Sequence, residues 1–263
     1  MSEPDLHIED QGSGSPALVF LHYFAGSSRS WIHVADGLSN ASRCVRLDVP
    51  GFGRSPPLST YSVSEVAQVV AAVIARLRLE SYVLIGHSMG GKLAMACATM
   101  KPPGLAGLVL VAPSPPSPEP MDEGERKRLL TSHGDRTSAE QTVRTITRRR
   151  LPAEDVATCI ADNLLTSPKA WGWWLENGSR ENITAAVGRI TCPVLVLVGS
   201  EDPVIPPRVV TTEVTPRLAD PAFHEIPGAG HLLPLEVAPE VSRAISAFVA
   251  PMPVQGPSHG RTE

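Results

Sequence analysis

Aromatic residues are scarce in this 263-residue chain, at 5%, and three of its four tryptophans crowd into Trp171-Gly172-Trp173-Trp174. A core so poor in rings must be aliphatic, and the 42% hydrophobic content is ordinary for a globular protein. Cysteine is scarcer: Cys44, Cys97, Cys159 and Cys192 are scattered without metal-ligand spacing. Cys44 and Cys192 fall in apolar strand-like runs and Cys97 in a helical one, so all are read as free thiols and a reducing, cytoplasmic setting is expected. No run approaches the ~20 apolar residues that cross a bilayer, and the polar, acidic Met1-Ser2-Glu3-Pro4-Asp5 is not a secretory signal, so no membrane insertion is expected. Positive charge is also short. A net charge of −4 leaves no footprint for nucleic acid. The run Arg148-Arg149-Arg150 sits among ten Lys/Arg and eleven Asp/Glu between 119 and 184, which reads as a solvated helix face. There is no glycine-rich phosphate loop and no metal-ligand cluster, and no cofactor is expected.

What is present centres on Val83-Leu84-Ile85-Gly86-His87-Ser88-Met89-Gly90-Gly91. Strand-forming Tyr82 to Ile85 run into a Gly-x-Ser-x-Gly turn, and the helix-prone Lys92-Leu93-Ala94-Met95-Ala96-Cys97-Ala98 follows. That strand–turn–helix frame is what a nucleophile elbow requires. The tight turn strains Ser88, leaves no room for side chains at 86 and 90, and lifts the hydroxyl to a helix N-terminus. A serine nucleophile needs a base, and the base an orienting carboxylate. Cys192 to Gly199 reads as a buried strand ending at Ser200-Glu201-Asp202-Pro203, which puts Asp202 past a strand's carboxyl end. Glu201 and Glu225 remain alternatives for the acid. His231 follows in Gly228-Ala229-Gly230-His231, a loop after the strand-like run Ala222 to Ile226. His87, next to Ser88, is expected to pack beside the turn, within reach of substrate. His22 is expected to brace its own loop through a hydrogen bond.

The order Ser88, Asp202, His231 is that of the α/β-hydrolases. With Asp48-Val49-Pro50-Gly51-Phe52-Gly53-Arg54-Ser55, similar to that superfamily's loop after the fourth core strand, the chain over about 5–250 resembles its small, capped, esterase-like branch. The resemblance implies an α/β fold with a mostly parallel central sheet flanked by helices. It also implies an oxyanion hole made by the backbone N–H groups of Met89 and Phe24, the latter in the loop after Ala17 to Leu21, and a structural role for Asp48. One departure stands out: the family usually has His-Gly at the oxyanion loop, and this chain has His22-Tyr23.

The rest of the pattern fits one catalytic domain with a lid. Ser62-Val63-Ser64-Glu65 has capping-box spacing and opens a helix running to Leu79, with Val66, Val69, Val70, Val73, Ile74 and Leu77 on one face. Leu108 to Val111 is a short strand. Five prolines between 113 and 120 then form a stiff connector. The expected organisation is a core over 1–114, a helical cap over 115–184 inserted after the sixth strand, a second core segment over 185–250, and a disordered Pro/Gly-rich tail over 251–263. Tyr23, Trp171 and Trp174 are candidates to line a substrate pocket, although anchoring the cap is the simpler role for the tryptophan cluster. The expected activity is hydrolysis of small carboxylic esters through an acyl-enzyme. A lactonase, thioesterase, carbon–carbon bond hydrolase or perhydrolase would use the same triad, and a slowly hydrolysing receptor-like ligand-binding protein is a more distant alternative. The expected partner is a small-molecule ester.

Overall fold

A computed structural model describes residues 5–252; residues 253–263 of the expected tail lie outside them. Seven strands form one sheet in the order β1-β3-β2-β4-β5-β6-β7. They are β1 Ile8–Gln11, β2 Ala17–Leu21, β3 Cys44–Leu47, β4 Tyr82–His87, β5 Leu105–Val111, β6 Val194–Gly199 and β7 Ala222–Ile226. Only β1 is antiparallel, paired with β3; every other pairing is parallel. The helices are α1 Ile32–Leu38, α2 Val63–Arg76, α3 Met89–Thr99, α4 Glu123–Thr131, α5 Arg136–Ile146, α6 Ala153–Leu165, α7 Pro168–Glu176, α8 Thr184–Val187, α9 Pro207–Glu213, α10 Leu233–Glu236 and α11 Ala238–Val249.

Strands β2, β4 and β6 are buried at every position. That is why their sequences show continuous apolar runs and no alternation: helices cover both faces of the sheet. Alternate side chains still divide between two cores. Leu18, Phe20, Val83, Ile85, Val109, Val111, Leu195 and Leu197 pack with residues of α1 and α11. Val19, Leu21, Leu84, Leu108, Leu110, Val196 and Val198 pack with α2, α3 and the cap tryptophans. Ser62 caps α2, its hydroxyl accepting from the Glu65 N–H at 3.0 Å. The Glu65 carboxylate turns instead to Thr60 Oγ1, so only half of the capping box forms.

Two expectations shift. The strand expected from Cys192 begins at Val194, because Pro193 has no N–H for the ladder and Cys192 stands, half-buried, in the bend before it. The insert leaves the sheet after the fifth described strand rather than the sixth, since a single short strand, β1, precedes β2. That strand, Ile8-Glu9-Asp10-Gln11, is a polar edge without the hydrophobic pattern that marks the others. The insert carries α4 to α7, roofing the carboxyl ends of the parallel strands. Trp171, Trp173 and Trp174 of α7 are all buried in the α2–α3 core, and Trp171 Nε1 donates to the Leu129 carbonyl at 3.1 Å.

Candidate active site

The carboxyl ends of β4, β6 and β7 bring three distant residues into a hydrogen-bonded row. Ser88 N-caps α3 with φ 53° and ψ −116°, left-handed backbone that a non-glycine residue adopts only under constraint. The constraint is the elbow: a Cβ at Gly86 would collide with the Gly90 carbonyl. The strained turn points Ser88 Oγ at His231 Nε2, 2.9 Å away, and His231 Nδ1 lies 2.7 Å from Asp202 Oδ2. The Nδ1–H donates to the carboxylate, which leaves Nε2 free to accept the serine proton. Asp202 is held by its other oxygen, which accepts from the Val204 and Ile205 N–H groups at 2.8 and 2.9 Å. Glu201 is exposed and Glu225 lies on the exposed β7 edge, so the acid in the row is Asp202.

All three side chains are buried, and burial alone would lower the His231 pKa. The Asp202 charge and hydrogen bond, with Glu119 and Glu236 nearby, outweigh it and hold the imidazole above its ordinary value.

The Met89 N–H opens α3 directly after Ser88, and the Phe24 N–H lies in the loop after β2, Phe24 lining the same cavity as Ser88. Neither donates to a described residue. Helix N-terminal amides left free in this way are anion donors. His22 braces that loop: its Nδ1–H donates to the Tyr23 carbonyl at 2.7 Å, and its Nε2 accepts from the Val49 N–H at 3.0 Å. Burial lowers its pKa, which suits a neutral imidazole. The tyrosine in place of glycine is accommodated because the left-handed residue of the loop is Ala25, at φ 62°, and not Tyr23. Asp48 is structural, accepting from the Ser28 and Arg54 N–H groups.

Above the row lies a cavity of about 390 Å³ lined by Ser88, His231, Tyr23, Phe24, Trp171 and Trp174 among others. Tyr23, Trp171 and Trp174 are part of that lining, and the tryptophans anchor the cap as well. His87 is not part of it. It is fully buried away from the cavity, and its Nε2–H donates to the His231 carbonyl at 2.8 Å. Desolvation holds its pKa well below the ordinary value. It supports the histidine loop; the alternation along β4 turns it, like Val83 and Ile85, to the α1–α11 side, where it meets Trp31.

Two carboxylates had no sequence signal. Glu236, at the end of α10, accepts from the N–H groups of Arg148, Arg149 and Gly230 through one oxygen and of Leu232 through the other, at 2.8 to 3.0 Å. The His231 N–H meanwhile donates to Ile146 O at 2.8 Å. Glu236 therefore ties the His231 loop to the chain leaving α5. Arg149 and Arg148 belong to this seam, their guanidinium groups engaging carbonyls of 227–228 and 145–147. Glu119, in the proline-rich connector, lines the cavity itself. Only His-x-x-x-x-Glu spacing could have pointed to Glu236, and nothing local to Glu119.

Comparisons agree with this architecture. The esterase of Exiguobacterium antarcticum superposes with a TM-score of 0.86 over 94% of this chain and 96% of its own, at 20% identity. A thermophilic esterase from Thermogutta terrifontis, in a malate-bound structure, gives 0.76 over 94% and 93%, at 26% identity. In sequence, a 2-succinyl-6-hydroxy-2,4-cyclohexadiene-1-carboxylate synthase of Salmonella arizonae is 35% identical over 115 residues, 44% of this chain and 45% of that protein. The match spans less than half the length of that relative. The alpha/beta hydrolase family model matches residues 18–244, and the chain belongs to the alpha/beta hydrolase family.

Proposed function

We propose that this enzyme is a serine hydrolase of small carboxylic esters. One observation carries the proposal: the Ser88–His231–Asp202 row at the floor of a largely apolar cavity. In this reading His231 takes the Ser88 proton as Oγ attacks the ester carbonyl carbon. The carbonyl oxygen becomes an oxyanion held by the Met89 and Phe24 N–H groups. His231 then gives its proton to the leaving alkoxide, which departs as the alcohol and leaves an acyl group on Ser88. Water, deprotonated by His231, attacks the acyl-enzyme and releases the acid with Ser88 restored. Each oxyanion donor contributes roughly 3–4 kcal/mol when judged by deletion in other enzymes. The cycle calls on no cofactor. Three buried free thiols suit a reducing compartment, and among the described residues no helix is long and apolar enough to cross a membrane.

A second reading, carbon–carbon bond chemistry on the same row, is favoured by the name of the Salmonella relative. Among the described residues that line the cavity none is Lys or Arg, which suits a neutral acyl group better than a carboxylate-rich substrate. The test is steady-state hydrolysis of p-nitrophenyl esters from acetate to dodecanoate, with Ser88→Ala alongside. Turnover lost about a thousandfold or more in the variant supports the esterase reading. A wild type that turns over no ester sinks it and moves the carbon–carbon reading ahead.

A further inference from the structure

Glu119 is 8% exposed and lines the same cavity as Ser88 and His231. Its placement is set from both sides. Its N–H donates to the Ser179 carbonyl at 2.8 Å, and its Oε2 accepts from the Ser114 hydroxyl at 2.7 Å. The Ser114 N–H in turn donates to the Ser88 carbonyl at 3.0 Å, so the carboxyl is linked through Ser114 to the nucleophile's own backbone. Oε1 accepts from no described residue and is not sealed off; it opens onto the cavity that Glu119 lines, where a donor on a bound molecule can reach it.

Burial raises the Glu119 pKa, and the Ser114 hydroxyl, His231, Lys92 and Arg126 offset only part of that rise. Lys92 Nζ is spent on the Ser117 and Ser179 carbonyls, each at 3.3 Å. Arg126 donates to the Leu175 carbonyl and to Ser179 Oγ. Neither cation lines the cavity. The cavity is bounded by apolar groups, the Ser88–His231 pair, the neutral polar Thr142, Thr145 and Asn163, and the acidic mouth residues Asp122 and Glu125, the latter paired with Arg128.

We infer that Glu119 is a specificity-determining residue whose free oxygen accepts a hydrogen bond from an amide N–H or hydroxyl on the acyl arm of the substrate. The inference rests on the serine-hydrolase reading and names its substrate class: acyl groups that carry a hydrogen-bond donor. A site built to pair a donor discriminates strongly against an isostere lacking it, because the carboxyl is then left unsatisfied.

The test uses matched pairs of p-nitrophenyl esters that differ only by N–H in place of CH₂. These are N-acetylglycine against levulinate, N-acetyl-β-alanine against 5-oxohexanoate, and N-acetyl-4-aminobutyrate against 6-oxoheptanoate. They are assayed at the pH where butyrate ester turnover is maximal, above the acid limb set by His231. The expected result is a kcat/KM preference of roughly ten- to hundredfold for the amide at one arm length. The preference falls to about one in Glu119→Leu and survives in reduced form in Glu119→Gln, which keeps an acceptor of the same shape. Circular dichroism and thermal unfolding report that each variant is folded, and Glu119→Gln decides alone if Glu119→Leu does not fold. Ratios near one at all three lengths in the wild type, or a ratio unchanged by the substitutions, overturn the inference while leaving the hydrolase reading intact. Absence of butyrate turnover in the wild type overturns both.

Discussion

The floor and the roof of the cavity are held by different kinds of bond. On the floor, short-range backbone contacts do the positioning. Ser88 is set by its own elbow, and Asp202 by N–H groups two and three residues ahead. The roof is hung by side chains that span the sequence. Asp162 of α6 meets Ser27 and Arg29 across more than a hundred residues, His33 meets Asp155, Glu181 accepts from the Val63 N–H, and Lys169 donates to Ser59 O. Ser88 and Asp202 are therefore locally set, whereas His231 and the roof depend on pairs between distant segments that one substitution can undo. In the proposed reading, chemistry belongs to the first region and substrate selection to the second.

The sharpest way to break the floor is Asp202→Asn. The amide cannot enforce the His231 tautomer, and kcat falls about ten-thousandfold with the folded state retained, as steady-state kinetics and circular dichroism together would report. A fall below tenfold removes Asp202 from the proposed role. Glu236→Ala attacks the seam between the two regions. It releases four N–H groups from the His231 loop and the end of α5, and kcat drops roughly ten- to hundredfold. Because the Glu236 charge raises the His231 pKa, the acid limb of the rate profile also moves to lower pH, a shift that loop disorder alone would not give.

The wild-type pH profile tests the floor without mutation. Protonated His231 cannot take the Ser88 proton, so activity declines as pH falls through its pKa. Asp202 holds that pKa above the ordinary histidine value, about 6.5, and the half-maximal point of kcat/KM falls above it. A limb below that value would count against the Asp202–His231 coupling. The smallest effect is in the roof. Asp162→Asn weakens the ties to Arg29 and Ser27, but Arg29 is half-exposed and turns to water, so stability falls by about 1–2 kcal/mol. Thermal unfolding would measure this, and kcat for a short ester would change little.

The same division governs what could be read in advance. Ala17–Leu21, an apolar run, and Ala222–Ile226, a strand-like one, form strands with the expected bounds, and the Ser88, Asp202 and His231 motifs lie on the expected strand ends. The polar edge strand β1 was invisible because an edge needs no second buried face. His87 was misjudged because adjacency in sequence does not show which way a side chain points when the strand turns into the elbow. Glu119 and Glu236 could not be found, since their meaning lies in donors from elsewhere in the chain.

Local chemistry in the sequence determined the parallel sheet, the elbow and the order of the three reacting groups, because continuous apolar runs and a glycine-framed turn have few other ways to fold. Only the tertiary structure decided how those groups meet, which rings face the cavity, and that a buried carboxyl stands among them. Those outcomes depend on pairings between segments a hundred residues apart, and no local propensity encodes them.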